Sequence, residues 1–120
     1  MNLTVLIVDD HAGFRSWTHS LLETEGFSVI GEAADGASAV ATAKAIRPDL
    51  VLLDVMLPDA TGFQVAQQLS QLPSPPRVIL VSSREASDFG DVLGHSPALG
   101  FISKPELSGL RLRALLGTGR

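Results

Sequence analysis

The chain has 120 residues, 45% of them hydrophobic and 18% charged, which is enough for one domain with a real core and too few for two. Its 13 acidic and 9 basic residues leave a net charge of −4, which argues against general binding to a phosphate backbone. The absence of cysteine excludes disulfide frameworks, thiolate metal sites and cysteine nucleophiles.

Residues 3–8 form a short, β-branched apolar run that stops at Asp9 and Asp10. The run reads as a buried strand. It is too short to span a membrane and lacks the flanks of a signal peptide, so a soluble cytoplasmic domain is expected. Phe14, Trp17, Leu21 and Leu22 then fall at helical spacing, with Gly26 as a stop. Phe27-Ser28-Val29-Ile30 reads as a second strand. After the Asp35-Gly36 turn signal, residues 37–46 are alanine-rich and predict a helix with Val40, Ala43 and Ile46 on one side. Arg47-Pro48 ends it, because a residue before proline is pushed away from the α region.

Leu50-Val51-Leu52-Leu53 is the most apolar strand and runs directly into Asp54. A loop with Pro58 and Gly62 leads to a helix carrying Phe63, Ala66 and Leu69. Pro73-Ser74-Pro75-Pro76 is a rigid connector too short to link two domains. Val78-Ile79-Leu80-Val81 reads as a fourth strand ending at Ser82-Ser83. Residues 86–95 predict a weak helix, because Gly90 and Gly94 each cost roughly 1 kcal/mol relative to alanine. Gly100-Phe101-Ile102-Ser103 is a fifth strand, ended by Lys104-Pro105. A last helix carries Leu107, Leu110, Ala114 and Leu115 behind a Ser108 cap, and ends near Leu116.

Strands alternating with helices argue for an α/β domain, a parallel sheet covered on both faces. Ligands of such sheets bind beyond the carboxyl ends of the strands. There the sequence sets Asp9, Asp10, Asp54, Ser82 and Lys104. Taken singly, an aspartate at a strand end is a turn or capping residue. Three together repel: at about 4 Å each pair costs roughly 1 kcal/mol in water and nearer 4 at an effective dielectric of 20. Shifted protonation or a resident cation relieves that repulsion. Oxygen ligands suit Mg²⁺. With Lys104 and Ser82 beside it, an aspartate is equipped as a phosphoryl acceptor.

Four segments carry a family resemblance. Val5-Leu6-Ile7-Val8-Asp9-Asp10, Leu52-Leu53-Asp54-Val55-Met56-Leu57-Pro58 with Gly62, Ile79-Leu80-Val81-Ser82-Ser83 and Gly100-Phe101-Ile102-Ser103-Lys104-Pro105 occur in order and at matching separations. Together they resemble a bacterial two-component response regulator receiver domain, over nearly the whole chain. The resemblance implies a doubly wound, flavodoxin-like five-stranded sheet of order 2-1-3-4-5. It implies Asp54 as the phosphoacceptor, with Asp10, Asp54 and the Met56 backbone carbonyl binding Mg²⁺ directly and Asp9 acting partly through water. Lys104 would contact the phosphoryl group, and the Lys104-Pro105 bond would be cis. Ser82 and Phe101 would form the switch, changing the face made by the fourth helix, fifth strand and fifth helix.

Partners implied are a sensor histidine kinase and an output protein or effector domain; a homodimer is compatible with the resemblance. Arg84 and Met56 stand where water access to the acyl phosphate is controlled, and their bulk predicts a shielded group. Plainer readings remain for some residues: Ser82 as a turn cap, Phe101 as core, His11 as a surface residue at a helix start, and His19, His95 and Trp17 as surface. Asp10-His11 and Gly31-Glu32-Ala33 are similar to receivers preceding helix-turn-helix domains. Yet only Gly117-Thr118-Gly119-Arg120 follow the last helix, so residues 1–120 are expected to be one receiver domain with no DNA reader or effector. An aspartate-nucleophile phosphatase would need a second carboxylate where Met56 stands. A nucleotide-binding domain would need a glycine-rich phosphate loop after the first strand.

Overall fold

The computed structural model describes residues 2–117. Five parallel strands, β1 (Thr4–Val8), β2 (Ser28–Ala33), β3 (Leu50–Asp54), β4 (Arg77–Ser82) and β5 (Gly100–Ser103), lie in the order β2-β1-β3-β4-β5. The helices are α1 (Ala12–Thr24), α2 (Gly36–Ile46), α3 (Gly62–Ser70), α4 (Asp91–Gly94) and α5 (Gly109–Gly117). None of the described helices is long and apolar enough to cross a membrane.

Side chains alternate across the strands, so each strand feeds two cores. Leu6, Val8, Val51, Leu53, Val78 and Leu80 pack on one face with Ala39 and Ala43 of α2 and Val65, Ala66 and Leu69 of α3. Val5, Ile7, Leu50, Leu52, Ile79, Val81 and Ile102 pack on the other with Leu22, Leu112 and Leu116 of α1 and α5. β1, β3 and β4 are consequently near-continuous hydrophobic runs, as strands covered on both faces must be.

Four elements differ from their sequence expectations. β2 continues past Ile30 to Ala33 because the register with β1 shifts there: Val5 pairs with Val29, but Leu6 pairs with Gly31. Ile30 is bulged out and 40% exposed. In α2 the inward stripe is Gly36, Ala39 and Ala43, with Val40 and Ile46 at its margin. The helix closes on Arg47 in the left-handed region (φ 48°) rather than in extended backbone. The weak fourth helix is broken at Gly90 (φ 58°) into a 3-10 turn, Ala86–Phe89, and the single turn of α4. In α5 the buried positions are Leu112 and Leu116, while Leu110 is 80% exposed and Leu107 is buried ahead of the helix. Ser108 does cap it, accepting the Arg111 N–H at 3.1 Å.

The Lys104–Pro105 bond is trans, correcting the cis form the resemblance implies. Trans is the ground state of an X–Pro bond by about 0.5–1 kcal/mol. It also suits the 3-10 turn Lys104–Glu106 that follows β5, where the Leu107 N–H reaches the Lys104 carbonyl at 3.2 Å. Residues 118–120, which the sequence sets beyond the last helix, lie outside the described residues.

Candidate functional site

β1, β3, β4 and β5 all point their carboxyl ends to one edge of the sheet, and their polar end residues meet there. Asp54, the last residue of β3, is 4% exposed, and Asp9 just beyond β1 is 1% exposed. Asp10 faces solvent. Lys104 comes up from the end of β5 and sets its ammonium 2.7 Å from Asp9 Oδ2 and 3.5 Å from Asp54 Oδ2.

The loop after β3 holds the other side of Asp54: the Met56 N–H donates to Oδ1 at 3.1 Å. This loop returns tightly, with Gly62 N–H on the Val55 carbonyl at 2.7 Å. A Cβ at Gly62 would stand 2.5 Å from the Asp54 carbonyl oxygen, so the close approach requires glycine there. Thr61 and Gln64 form a capping box that starts α3 at once.

Burial pushes the Asp54 carboxyl up to about 6; the Met56 N–H pulls down, the neighbouring Asp9 charge pushes further up, and Lys104 offsets part of the rise. Asp9 behaves oppositely. Burial opposes its ionisation, but Lys104 and the His11 N–H together hold it below the ordinary carboxylate range. The two acids, pushed apart by their surroundings, have the asymmetry expected of a working site.

The carboxylates of Asp9, Asp10 and Asp54 and the His11 ring offer ligand atoms within 4.8 Å of one another. Asp9 Oδ2 is fully buried, and the Lys104 ammonium 2.7 Å away is its close polar partner. Three carboxylates gathered this closely, two of them buried, make a hard-oxygen donor set that fits a divalent cation such as Mg²⁺.

Ser82, the last residue of β4, is 1% exposed, and its hydroxyl accepts the Arg84 N–H at 3.1 Å. Phe101 is half-buried on β5 and stands edge-on to Phe89 (5.7 Å, 61°), which in turn stands edge-on to Phe63 (5.5 Å, 71°). This row joins α3, the 3-10 turn and β5. The side chains of Met56 and Arg84 lie at the exposed rim.

Several contributors were not legible from the sequence. His11 is exposed, as expected, yet its Nδ1 lies 3.1 Å from both Asp9 Oδ1 and Asp10 Oδ1. Arg15 donates to the Asp9 carbonyl at 2.6 Å and to Glu32 at 3.1 Å. Phe14 presents its ring to the Lys104 ammonium, 4.3 Å from the ring centre. Asp59 accepts the Gly36 and Ala37 N–H groups at 2.7 and 3.0 Å, tying the β3–α3 loop to the start of α2. The one available signal was spacing: Phe14 and Arg15 sit on the first turn of the helix that opens directly after the acidic pair.

The chain matches the response regulator receiver domain family over residues 5–115. It is 41% identical to the transcriptional regulatory protein TcrX of Mycobacterium tuberculosis, over 95% of this chain and 50% of that protein. With the chemotaxis protein CheY of Bacillus subtilis it shares 34% identity over 84% of each chain. The chain spans about half the length of the transcription regulators it matches. The crystal structure of the CheX–CheY–BeF3–Mg²⁺ complex from Borrelia burgdorferi contains a chain that superposes with a TM-score of 0.81 at 29% identity, covering 97% of this chain and 87% of that one. Similarity in sequence and similarity in fold agree, and the chain belongs to the receiver domains of two-component response regulators.

Proposed function

We propose that Asp54 accepts a phosphoryl group from the phosphohistidine of a sensor histidine kinase, and that the resulting acyl phosphate changes the domain's outer face for an output partner. The observation that carries this reading is the buried Asp54 carboxylate with the Lys104 ammonium 3.5 Å from its Oδ2. A carboxylate oxygen attacks phosphorus, the P–N bond to the donor imidazole breaks, and the O–P bond of the acyl phosphate forms. At neutral pH a carboxyl at about 6 is still mainly ionised, so the nucleophile is present and more basic than an ordinary aspartate. Lys104 neutralises charge on the transferring oxygens.

Asp10, Asp54 and the Met56 backbone carbonyl would hold Mg²⁺, with Asp9 acting partly through water. When bound, the ion supplies further positive charge to the phosphoryl oxygens. The relative crystallised with BeF3 and Mg²⁺ supports the same chemistry here. Incubation with acetyl phosphate and Mg²⁺ should add one phosphoryl group by intact mass, and Asp54→Asn or EDTA should prevent it. An undiminished adduct on the Asp54→Asn protein would place the acceptor elsewhere.

The switch we assign to Ser82 and Phe101. The Ser82 hydroxyl, now occupied by the Arg84 N–H, would turn to the phosphoryl group, and the half-buried Phe101 ring would follow inward. A hydrogen bond to a charged group is worth about 1.5–3 kcal/mol, a roughly ten- to hundredfold change in a two-state population. Ser82→Ala should therefore accept phosphate yet lose the beryllofluoride-induced amide shifts around Phe101 and α4. Shifts of wild-type size would remove Ser82 as the trigger. The output goes to a protein partner or a further domain; the net charge of −4 supports a surface that does not itself grip nucleic acid.

A further inference from the structure

We infer that Phe14 is a positioning residue for Lys104: its ring face holds the ammonium over the Asp9–Asp54 pair by a cation–π contact, and this sets the rate of phosphoryl transfer. The inference rests on the phosphoacceptor reading of Asp54 and adds a residue to it.

Lysine carries a compact charge on a flexible four-carbon stem, so the stem does little to aim it. Three groups surround the Lys104 ammonium: Asp9 Oδ2 at 2.7 Å, Asp54 Oδ2 at 3.5 Å and the Phe14 ring centre at 4.3 Å. The two carboxylates give the ammonium only two fixed points, the nearer being Asp9 and not the group that reacts. The ring provides a third fixed point, well inside the roughly 6 Å over which such attraction acts.

The chemistry of that third point matters. Asp9, Asp10 and Asp54 already crowd the site with negative charge, and a phosphodonor brings more. A further carboxylate holding Lys104 would repel the donor and neutralise the ammonium that is to meet it. An aromatic face attracts a cation through its quadrupole while carrying no net charge. The lysine is thus held and its charge stays available.

Phe14 is itself fixed. It lies on the first turn of α1, packs against the core shared by α1 and α5, and is flanked by Trp17 with ring centres 5.9 Å apart. Lys104 is only 17% exposed, so water screens the contact weakly. Arg15, the next residue, bonds the Asp9 carbonyl, and the start of α1 therefore grips both halves of the Asp9–Lys104 pair.

The test replaces Phe14 site-specifically by mono-, di- and trifluorophenylalanine, which drain the ring quadrupole at nearly constant shape, alongside Phe14→Leu and Phe14→Tyr. Phosphorylation by acetyl phosphate should slow stepwise with fluorination. It should reach roughly a fivefold loss in the trifluoro and leucine proteins, a fold-change typical of a partly buried cation–π contact, and tyrosine should restore the rate. In the unphosphorylated protein the Lys104 ε-methylene protons should show an upfield ring-current shift that Phe14→Leu abolishes, and thermal midpoints should stay level across the fluorinated series. Adduct formation at an unchanged rate across that series overturns the inference and leaves the phosphoacceptor reading standing. A wild-type protein that takes no phosphoryl group at all overturns both.

Discussion

In its proposed role Asp54 has to be buried to be shielded and ionised to react, and these demands conflict. In the folded protein its carboxyl sits at about 6, above the ordinary 3.8, so the folded state binds this proton more tightly than the unfolded chain does. Folding therefore takes up a proton between those two values, and the Asp54 contribution to stability falls as pH rises through that window. The span corresponds to an upper limit of roughly 3 kcal/mol, reduced because removing the charge also strips Lys104 of a partner. In metal-free buffer, Asp54→Asn should raise the urea midpoint at pH 7 by the equivalent of about 1–3 kcal/mol, with the gain shrinking toward pH 5. An equal gain at both pH values would show that burial of the charge is not the cause. Asp9, with its carboxyl held low by Lys104 and the His11 N–H against the cost of burial, works in the opposite sense. Its contribution is present above the unfolded value and lost as pH falls below it. The five strand-end residues were legible in the sequence because polar groups interrupt apolar runs at fixed places. His11, Phe14 and Arg15 were not, because their roles depend on the direction in which α1 leaves the acidic pair.

The elements around the site are tuned by close approach more than by propensity. Gly62 lets the start of α3 pass against β3: an added Cβ would meet the Asp54 carbonyl oxygen at 2.5 Å and Val55 Cα at 2.8 Å, backbone that cannot swing aside. Gly62→Ala should cost about 1–3 kcal/mol or more by urea unfolding, and it should displace the Asp54 and Met56 amide resonances. A neutral result would mean that the loop has slack the geometry does not show. Asp59 works at the same scale, bonding the first N–H groups of α2 from a neighbouring loop, where the helix dipole favours its charge. Strand and helix types were readable throughout from period and glycine placement. The bulge at Ile30 and the inward face of α5 were not: the first is a register decision made between β1 and β2. The second follows the 3-10 turn at Lys104–Glu106, after which Leu107 is buried before the helix starts. Tertiary pairing outranks local preference in both.

Across the whole molecule, the order β2-β1-β3-β4-β5 gathers the ends of β1, β3, β4 and β5 on one edge, so the site follows from topology once the strands are placed. It was readable for that reason: right-handed crossovers leave few arrangements, and the polar strand ends agree with only some of them. The same order distributes cohesion unevenly. β1 and β3 are flanked on both sides and bury every apolar side chain, whereas β5 is a four-residue border strand paired with β4 alone. The segment before it contains a left-handed glycine and a single turn of α4 with no buried residue. Native-state hydrogen exchange should find the amides of residues 86–103 opening in a sub-global event well below the free energy at which β1 and β3 exchange. Uniform protection across all five strands would contradict this. Lys104 directly follows the border strand β5, yet its charge lies against carboxylates at the ends of two interior strands, β1 and β3. Any reaction that redraws that electrostatic grip changes how firmly the β5 border is fastened to the strands inside it. In the proposed function, an output partner reads a change in tether strength, expressed as how often that border region lifts away.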